Sequence, residues 1–339
     1  MSTQSAPTGD PASPGEPSPG PTPPEGPGER FIRRRVLLGT GAALLAGSGV
    51  SATWAYDRFL REKVQVSDVS AAESTAGAAT TAVLATDGSY SSTGYTSSTT
   101  TLTLISTATG TGSEALAWYA AVVEITDATV LRAAFAQDEV GQNITEEPSV
   151  IAGRHDAVLA INGDYYGFRD NGIVIRNGVI YRDEPARDGL VFYRDGRIEV
   201  YDETSTNAEE LLDDGAWNTL SFGPAVLVDG SVPTGFEGVE IDTNVGNHSI
   251  QGKQPRTAVG WVETNHLKLV VVDGRNEGYS RGVTMSELAQ IRADLGCACA
   301  YNIDGGGSSA MYFNGSIINQ PSNGGERDTS DILYIANGA

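Results

Sequence analysis

The residues best suited to chemistry lie in one stretch near the C-terminus, YNIDGGGSSAMYFNG, residues 301 to 315. The stretch contains one aspartate, three glycines and two serines in succession: Asp304, Gly305, Gly306, Gly307, Ser308 and Ser309. Because glycine is costly to order, a glycine triplet suggests that something approaches the backbone closely. A bare backbone beside two hydroxyl groups can donate hydrogen bonds to an anionic or sugar oxygen. The stretch therefore predicts a binding site for a substrate that carries phosphate.

Two other interpretations of this stretch can be weighed from the sequence. A nucleotide phosphate loop is disfavoured, because no Gly-Lys-Ser/Thr follows the glycines and the next segment, AMYF, is typical of a strand. A serine hydrolase with Ser308 as nucleophile is an alternative, since GGSSA is one residue short of Gly-x-Ser-x-Gly. That motif needs a histidine later in the chain, whereas His155, His248 and His266 all precede the serine.

Further polar side chains follow other predicted strands. Asn162 and Asp164 follow the run AVLAI, Asp273 ends LKLVVVD, and Arg256 begins RTAVGWVE. A strand, a helix and the strand CAYNID form a predicted parallel crossover, which would place Asp273 and Asp304 at the same sheet edge. Arg256 should lie beside Asp273, because their strands are joined as a hairpin. An arginine, an asparagine and three aspartates are thus expected to meet at one edge.

The elements that must position these residues are mostly strands. From Thr101 onward, short apolar or alternating runs are separated by turn signals such as Asn177-Gly178 and Asn314-Gly315. The segment TMSELAQIRADLG has the apolar spacing of one helical face, and Thr284 with Glu287 predicts a capping box. EEPSVIAG and NAEELLDD predict shorter helices. We expect an α+β fold: a strand-rich single domain with a mixed sheet, several hairpins and a βαβ-like unit near the C-terminus.

The N-terminal part has a different character. Residues 1–32 form a predicted disordered tail, because the first thirty residues hold nine of the fifteen prolines. In residues 33–56, three arginines precede an apolar run from Val36 to about Tyr56, which predicts a membrane anchor or a cleaved export signal. Residues 57–100 are a predicted linker, and residues 101–339 the working domain outside the membrane. The expected location is the cell membrane, with a single span, or the exterior if the signal is cleaved.

Composition excludes some partners and ligands. The formal net charge of −21 offers no basic face for a nucleic acid. The two cysteines, Cys297 and Cys299, are two residues apart on a predicted strand, so their side chains should face opposite sides and are expected to be core residues without a disulfide. No metal site and no cofactor is predicted: several aspartates are expected to meet, which leaves a bound cation open, but they lack a calcium-loop spacing.

Six segments in this order, INGDYYGF, GIVIRNGVIYR, QPRTAVGW, VVDGR, SRGVTMSELA and YNIDGGGSSA, resemble the phosphodiester glycosidase family. The resemblance extends from roughly Leu102 to Ala339. Within the family, the chain resembles an exported bacterial member. It implies a hydrolase that removes a sugar, typically α-N-acetylglucosamine, from a sugar-1-phosphodiester. Asp164 stands where the family pattern has a second glycine, so it departs from that pattern.

The resemblance and the local chemistry together give a set of expected site residues. The expected catalytic carboxylates are Asp304, Asp273 and Asp164. The residues expected to bind substrate are Asn162, Arg256, Gly305, Gly306, Gly307, Ser308, Ser309 and Arg327. The arginines would hold the phosphate, because a guanidinium can donate two hydrogen bonds to it at once. The expected partner is a phosphate-bearing glycan of a cell-wall or exopolysaccharide polymer, and a catalytically silent, membrane-tethered binder of such glycans is the alternative.

Overall fold

The structure is a computed structural model that describes residues 56, 60–75, 84–241 and 249–337 of the chain. All described residues except Tyr56 belong to one compact unit, Phe59–Ala339. Its strands are β1 (Lys63–Val66), β2 (Ser89–Ser91), β3 (Gly94–Thr96), β4 (Thr100–Thr109), β5 (Leu116–Ile125), β6 (Leu131–Phe135), β7 (Val140–Gln142), β8 (Leu159–Asn162), β9 (Gly172–Arg176), β10 (Val179–Glu184), β11 (Asp188–Tyr193), β12 (Ile198–Asp202), β13 (Ala216–Leu220), β14 (Ala225–Leu227), β15 (Arg256–Glu263), β16 (His266–Val272), β17 (Cys299–Ile303), β18 (Met311–Phe313), β19 (Ser316–Ile317) and β20 (Asp331–Ile335). The α-helices are α1 (Val69–Thr75), α2 (Pro148–Arg154), α3 (Ala208–Asp213) and α4 (Met285–Asp294).

Two large sheets form the frame of the domain. The larger sheet has eight strands in the order β14-β17-β15-β16-β5-β4-β3-β2, and the second has five in the order β19-β18-β8-β20-β6. Buried side chains from both sheets belong to one hydrophobic cluster, for example Val259 and Leu269 from the first and Ile161 and Leu333 from the second. The core is therefore shared, and each sheet buries apolar side chains against the other.

Smaller sheets complete the domain. One has three strands in the order β12-β11-β13, and two more pair β9 with β10 and β1 with β7. A separate apolar cluster joins the three-stranded sheet to β9 and helix α3 through side chains such as Ile173, Val191 and Leu211. The prediction of a strand-rich α+β fold with several hairpins is confirmed, including the hairpin of β15 and β16.

The predicted crossover needs one correction. Strands β16 and β17 each pair antiparallel with β15, one on either side, so they point the same way without being neighbours. All strand pairings among the described residues are antiparallel, so the expected mixed sheet is wrong in this respect. The consequence for the site is small, because strands on either side of a common neighbour still end at the same edge.

Part of the predicted linker carries regular structure. Within residues 57–100 the chain forms β1, α1, β2 and β3, and β1 pairs with β7 of the domain. Glu73 in α1 accepts hydrogen bonds from Arg132 and from Asn177, at 3.3 and 2.7 Å. Apolar periodicity is weak in this Ser- and Thr-rich segment, so no local pattern predicts these contacts.

The predicted membrane segment, residues 36–56, lies outside the described residues except for Tyr56, as does the predicted disordered tail. Among the helices of the described ranges, none combines the length and the hydropathy needed to cross a bilayer.

Helix α4 covers the larger sheet beside β15. Arg292 of the helix donates to the Lys268 carbonyl of β16, and its guanidinium occupies the space that a β-carbon on Gly260 would need. At the other end the capping box is present: the Thr284 hydroxyl accepts from the Glu287 N–H at 3.2 Å, and the Glu287 carboxylate accepts from the Thr284 N–H at 2.8 Å. The sequence prediction of this helix and its start is confirmed.

We expect Thr284→Ala to lower the free energy of unfolding by about 1 kcal/mol, because it leaves the Glu287 N–H without its hydroxyl acceptor. Urea denaturation of both proteins measures the difference. Thr284→Ser keeps the hydroxyl and should unfold close to the wild type. Equal losses in both variants would mean that the threonine methyl group, not the cap, stabilises the helix.

Candidate active site

A cleft opens where β8 and β17 end. It encloses about 140 Å³, and it is lined by Tyr165, Phe222, Ile241, Ser249, Ile250, Gln254, Arg256, Arg275, Ile303, Asp304, Gly305, Gly306, Gly307 and Arg327. One part of the lining is aromatic and aliphatic, and another consists of three arginines and the glycine stretch. Asp304 is the only carboxylate among the described lining residues. The cleft can therefore hold an anion next to one carboxylate and a flat apolar surface.

The glycine triplet is explained by what stands next to it. A β-carbon on Gly305 would come within 2.9 Å of the Pro255 carbonyl oxygen and 3.4 Å of the Arg256 Cα. A β-carbon on Gly306 would lie 3.2 Å from Nη2 of Arg275, and this glycine also has a positive φ of 63°. Larger residues would thus push apart the backbone and displace the guanidinium.

Gly307 completes the pattern on its other side. A β-carbon there would collide with the Asn323 carboxamide and would lie 3.1 Å from Cδ of Arg327. Each of the three glycines therefore has one arginine as a neighbour.

The glycine stretch contributes less hydrogen bonding to a ligand than the sequence suggested. The Gly306 N–H donates to the Pro255 carbonyl at 2.9 Å, and the Gly305 N–H donates to Oδ1 of Asp304 at 2.9 Å. The N–H groups of Ser308 and Ser309 donate to carbonyls within the stretch. Most of these donors are used to fold the loop around Asp304, so the arginines provide most of the cleft's capacity to bind an anion.

Asp304 is half-buried at the start of this loop. Burial raises the pKa of its carboxyl group, and the charges of Arg327 and Arg169, the Ser308 hydroxyl and the Gly305 N–H oppose that rise. These groups favour the ionised carboxylate against the cost of removing it from water. Asp304 is therefore a carboxylate whose protonation depends on its arginine neighbours.

The arginines of the cleft have neutral partners. Arg256 is 3% exposed and donates to the backbone carbonyls of Ile250, Gly252 and Val283. Burial and the nearby charge of Arg275 lower the pKa of Arg256 to about 10, which leaves it charged at neutral pH.

Arg275 and Arg327, the other two arginines of the cleft, lie near the surface. Arg275 donates to the Gln254 side chain at 2.8 Å, while burial and the charge of Arg327 lower its pKa. Both are exposed residues on the rim of the cleft. Among the described residues, no carboxylate lies within ion-pair distance of any of the three arginines.

Asn162 lies behind the cleft and does not reach it. Its side chain is fully buried, donates to the Asp304 carbonyl at 2.7 Å and to the Gly163 carbonyl at 3.1 Å, and accepts from the Thr257 hydroxyl at 2.8 Å. The Ala310 N–H is a second donor to its oxygen, at 3.3 Å. The expected substrate-binding role is therefore corrected: the carboxamide has no hydrogen-bonding capacity left for a ligand, and it positions Asp304.

Asp164 is also buried away from the cleft. Its carboxylate accepts from Nη2 of Arg176 at 3.1 Å and from the Ser221 N–H at 2.6 Å. Arg176, which is fully buried, also pairs with Asp331 at 2.9 Å. The expected catalytic role of Asp164 is corrected, because it belongs to a closed ionic cluster that holds the turn after β8.

Asp273 is 1% exposed and does not line the cleft either. It accepts hydrogen bonds from the Asn319 side chain at 2.8 Å, the Gln320 N–H at 2.9 Å and the Tyr279 hydroxyl at 2.8 Å. Burial raises its pKa, and these three donors oppose that rise. Its expected catalytic role is replaced by a structural one: it fixes the chain after β19 against the end of β16.

The serines and the cysteines have no reactive arrangement. Ser308 and Ser309 are buried beside Asp304 and do not line the cleft. His155 contacts Asp138 and His266 faces Glu263, so neither can serve Ser308 as a base, and His248 lies outside the described residues. The serine hydrolase interpretation has no support among the described residues. The two cysteines are free, as predicted.

Two arginines near Asp304 were missed by the sequence prediction. Arg275 is the second residue after Asp273 in the quoted segment VVDGR; its backbone has a positive φ of 58°, and its side chain lines the cleft. Non-glycine residues with such a backbone are uncommon, and Tyr165, with a φ of 73°, is a second one in the lining. The sequence contains no signal for this backbone geometry.

Arg169 stands behind the aromatic wall. Its guanidinium carbon lies 5.7 Å from the Tyr165 ring centre and 5.2 Å from that of Phe222. One nitrogen donates to the Asp164 carbonyl, whereas Nε and Nη1 have no hydrogen-bond partner among the described residues. This buried cation stiffens the wall and adds positive charge near Asp304.

The sequence profile of the phosphodiester glycosidase family matches residues 155–336 of the chain, which include every residue of the cleft lining. The match covers more than half of the chain. The protein belongs to this family, as the ordered segments of the sequence predicted.

Two curated relatives match parts of the chain. The SPbeta prophage-derived uncharacterized protein YomE of Bacillus subtilis (strain 168) is 34% identical over 195 residues, which are 55% of this chain and 29% of that protein. The N-acetylglucosamine-1-phosphodiester alpha-N-acetylglucosaminidase of Bos taurus is 35% identical over 81 residues, 24% of this chain and 15% of that one. The chain thus matches less than a third of the length of either relative.

A solved structure has the same fold. The catalytic domain of the zebrafish N-acetylglucosamine-1-phosphodiester alpha-N-acetylglucosaminidase, auto-inhibited by its pro-peptide, superimposes with a TM-score of 0.56 at 21% identity. The superposition covers 75% of this chain and 87% of that one. At this identity the likeness establishes the fold alone.

The buried cluster behind the site should make stability depend on pH. Burial and the charge of Asp164 raise the pKa of Asp331 to about 6 although Arg176 opposes the rise. The folded protein therefore binds the proton more tightly than the unfolded chain, and this group's contribution to stability falls as the pH rises from about 4 to about 6. We expect Asp331→Asn to reduce that fall.

Thermal or urea unfolding at intervals across this range measures the slope for both proteins. Asp170→Asn, at an exposed neighbouring position, serves as the matched control and should keep the wild-type slope. An unchanged slope in Asp331→Asn would assign the titration to another group.

Proposed function

We propose that the protein is a hydrolase that cleaves a sugar from a sugar-1-phosphodiester, with α-N-acetylglucosamine as the sugar suggested by the names of its relatives. The observation that carries the proposal is the arrangement of Asp304 with the three cleft arginines around one glycine loop. Family membership supports the reaction class, and the positive lining supports a phosphate-bearing substrate.

The chemistry follows from the leaving group. Water forms a bond to the anomeric carbon while the bond from that carbon to the phosphate oxygen breaks, and the electron pair leaves with the phosphate. A phosphate leaves as a stable anion, so it needs cations more than it needs a proton. Arg256, Arg275 and Arg327 would stabilise the growing negative charge. Asp304 would act in its ionised form at the anomeric carbon, as the base for water or as the nucleophile.

The apolar wall would bind the other face of the substrate. Tyr165 and Phe222 form the aromatic part of the cleft lining, and an aromatic ring packs well on the face of a sugar. Arg169 holds both rings from behind. The sugar would thus lie between the rings and Asp304, with its phosphate on the arginines.

Location and natural substrate belong to the same proposal. The arginine cluster and apolar run of residues 33–56 support export, with the domain outside the cytoplasmic membrane as a tethered or secreted protein. There it would meet phosphodiester-linked sugars of cell-wall or exopolysaccharide polymers. A silent binder of such glycans is the second candidate, favoured by the single carboxylate among the described lining residues, since glycosidases usually use a pair.

The first measurement uses the full chain with methyl N-acetyl-α-glucosaminyl phosphate and with UDP-N-acetylglucosamine, and it follows the release of free sugar. We expect the wild type to release sugar and Asp304→Asn to lose about a hundred- to ten-thousand-fold in rate, because the substitution removes the only carboxylate of the described lining. Asp170→Asn is the control and should keep full activity. Binding of both compounds without any release would support the silent binder and overturn hydrolysis.

A second prediction tests the protonation state of Asp304. The charge of Arg169 lowers the pKa of Asp304, so Arg169→Gln should raise that pKa. If Asp304 works ionised, the acidic limb of the pH–rate profile moves to higher pH in this variant. Arg169→Lys keeps the charge and should leave the limb near its wild-type position, while melting curves check that both variants fold. A shift of the basic limb instead would make Asp304 a general acid.

A further inference from the structure

We propose that the cleft selects substrates whose sugar is joined to a pyrophosphate, two linked phosphates, over those with a single phosphodiester. This inference rests on the proposed function and adds the substrate class. It is carried by the number, order and partners of the arginines at the glycine loop.

The residues that line the cleft in the described chain carry a net positive charge. Three guanidinium groups face one carboxylate, which leaves an excess of two positive charges when Asp304 is ionised. Elsewhere in the described chain Arg176 and Arg281 are paired with carboxylates, whereas the buried Arg169 and Arg292 have no carboxylate partner among the described residues. Arg256 and Arg275 have only carbonyl and carboxamide partners, but unlike Arg169 and Arg292 they line the cleft. An anionic ligand in the cleft can therefore supply the compensating charge.

The two candidate substrate classes differ in the number of their anionic oxygens. A phosphodiester has two non-bridging oxygens and one negative charge, and two guanidinium groups suffice to contact both. A pyrophosphate diester has four such oxygens and two charges, which match the excess in the cleft. Guanidinium groups bind phosphate oxygens in pairs, so a third arginine gains little from a single phosphate.

The arginines also follow one another along the glycine loop. The Arg256 backbone neighbours Gly305, the Arg275 guanidinium neighbours Gly306 and the Arg327 side chain neighbours Gly307. All three residues line the same cleft, and this succession suits two phosphates in sequence better than one.

The arginines of the cleft repel one another. The charge of Arg275 lowers the pKa of Arg256, and the charge of Arg327 lowers the pKa of Arg275. The groups are close enough to destabilise one another, and a ligand with two negative charges relieves this more completely than a ligand with one.

The positions also give the orientation. Arg256 is buried and fixed by three backbone carbonyls, whereas Arg327 is exposed on the rim. The phosphate attached to the sugar would lie deep, near Arg256 and Asp304, and the second phosphate near Arg327. Arg327 is then the residue that distinguishes pyrophosphate from phosphodiester. Water replaces the whole diphosphate at the anomeric carbon, which gives free sugar and a diphosphate monoester.

Substrate comparison tests the inference with the full chain. We expect kcat/KM for UDP-N-acetylglucosamine to exceed that for methyl N-acetyl-α-glucosaminyl phosphate by about tenfold or more, the value of one charged hydrogen bond. Arg327→Ala should lower kcat/KM for the pyrophosphate substrate by about tenfold and for the phosphodiester by less than about threefold. Arg197→Ala, which removes a partly exposed arginine outside the cleft, should change neither.

A binding measurement separates this inference from catalysis. Calorimetry with dimethyl phosphate and with P1,P2-dimethyl pyrophosphate should show tighter binding of the pyrophosphate by the wild type, and Arg327→Ala should remove the difference. Equal affinities, or a faster reaction of the phosphodiester, would overturn the inference and leave the proposed hydrolysis standing. Preferential pyrophosphate binding with no release from any substrate would support the inference while the proposed hydrolysis fails.

The pyrophosphate could come from a nucleotide sugar or from a lipid-linked sugar. Farnesyl diphospho-N-acetylglucosamine in detergent, compared with UDP-N-acetylglucosamine, distinguishes the two. Similar kcat/KM values would support recognition that ends at the second phosphate, and a preference for either would identify the source. Failure of both while the methyl phosphodiester reacts would contradict the inference.

Discussion

The site depends on the side chain of Asn162. This one carboxamide, at the end of a strand of the smaller sheet, donates to the backbone of Asp304 and accepts from Thr257 in the larger sheet. It thereby joins the two sheets at the point where the cleft opens. The Asn162 side chain is fully buried, so an unpaired group left by a small displacement would cost about 1–3 kcal/mol. The position of the Asp304 carboxylate is thus set by sheet packing, and the glycine loop bends around a fixed point.

Electrostatics divides the molecule into two regions. The chain as a whole carries a net charge of −21, yet the described lining of its cleft is positive. The positive charge of the cleft attracts an anion against the negative net charge of the chain, which favours productive encounters over non-specific ones. Arg256 and Arg275 keep neutral hydrogen-bond partners, so their positive charge remains available to an anionic ligand.

The sequence predicted those features that depend on local patterns. The capping box of Thr284 and the hairpin of β15 and β16 follow from residues a few positions apart, and the structure has both. The directions of side chains beyond strand ends were not predictable in this way. Asp273 and Arg275 are two residues apart, but the first binds Asn319, a distant residue, and the second turns to the cleft through a left-handed backbone. Asp164 likewise accepts a hydrogen bond from Arg176, a contact that no local pattern predicts.

The segment ahead of the large sheets is part of the fold. Strand β1 covers the edge of β7, and Glu73 in the following helix neutralises Arg132 and satisfies Asn177, which is 2% exposed. Excision of the domain at residue 101 would therefore remove three strands and a helix and leave bare strand edges, the kind of surface through which β proteins associate with one another. A shortened protein that keeps the described fold intact has to begin before residue 63.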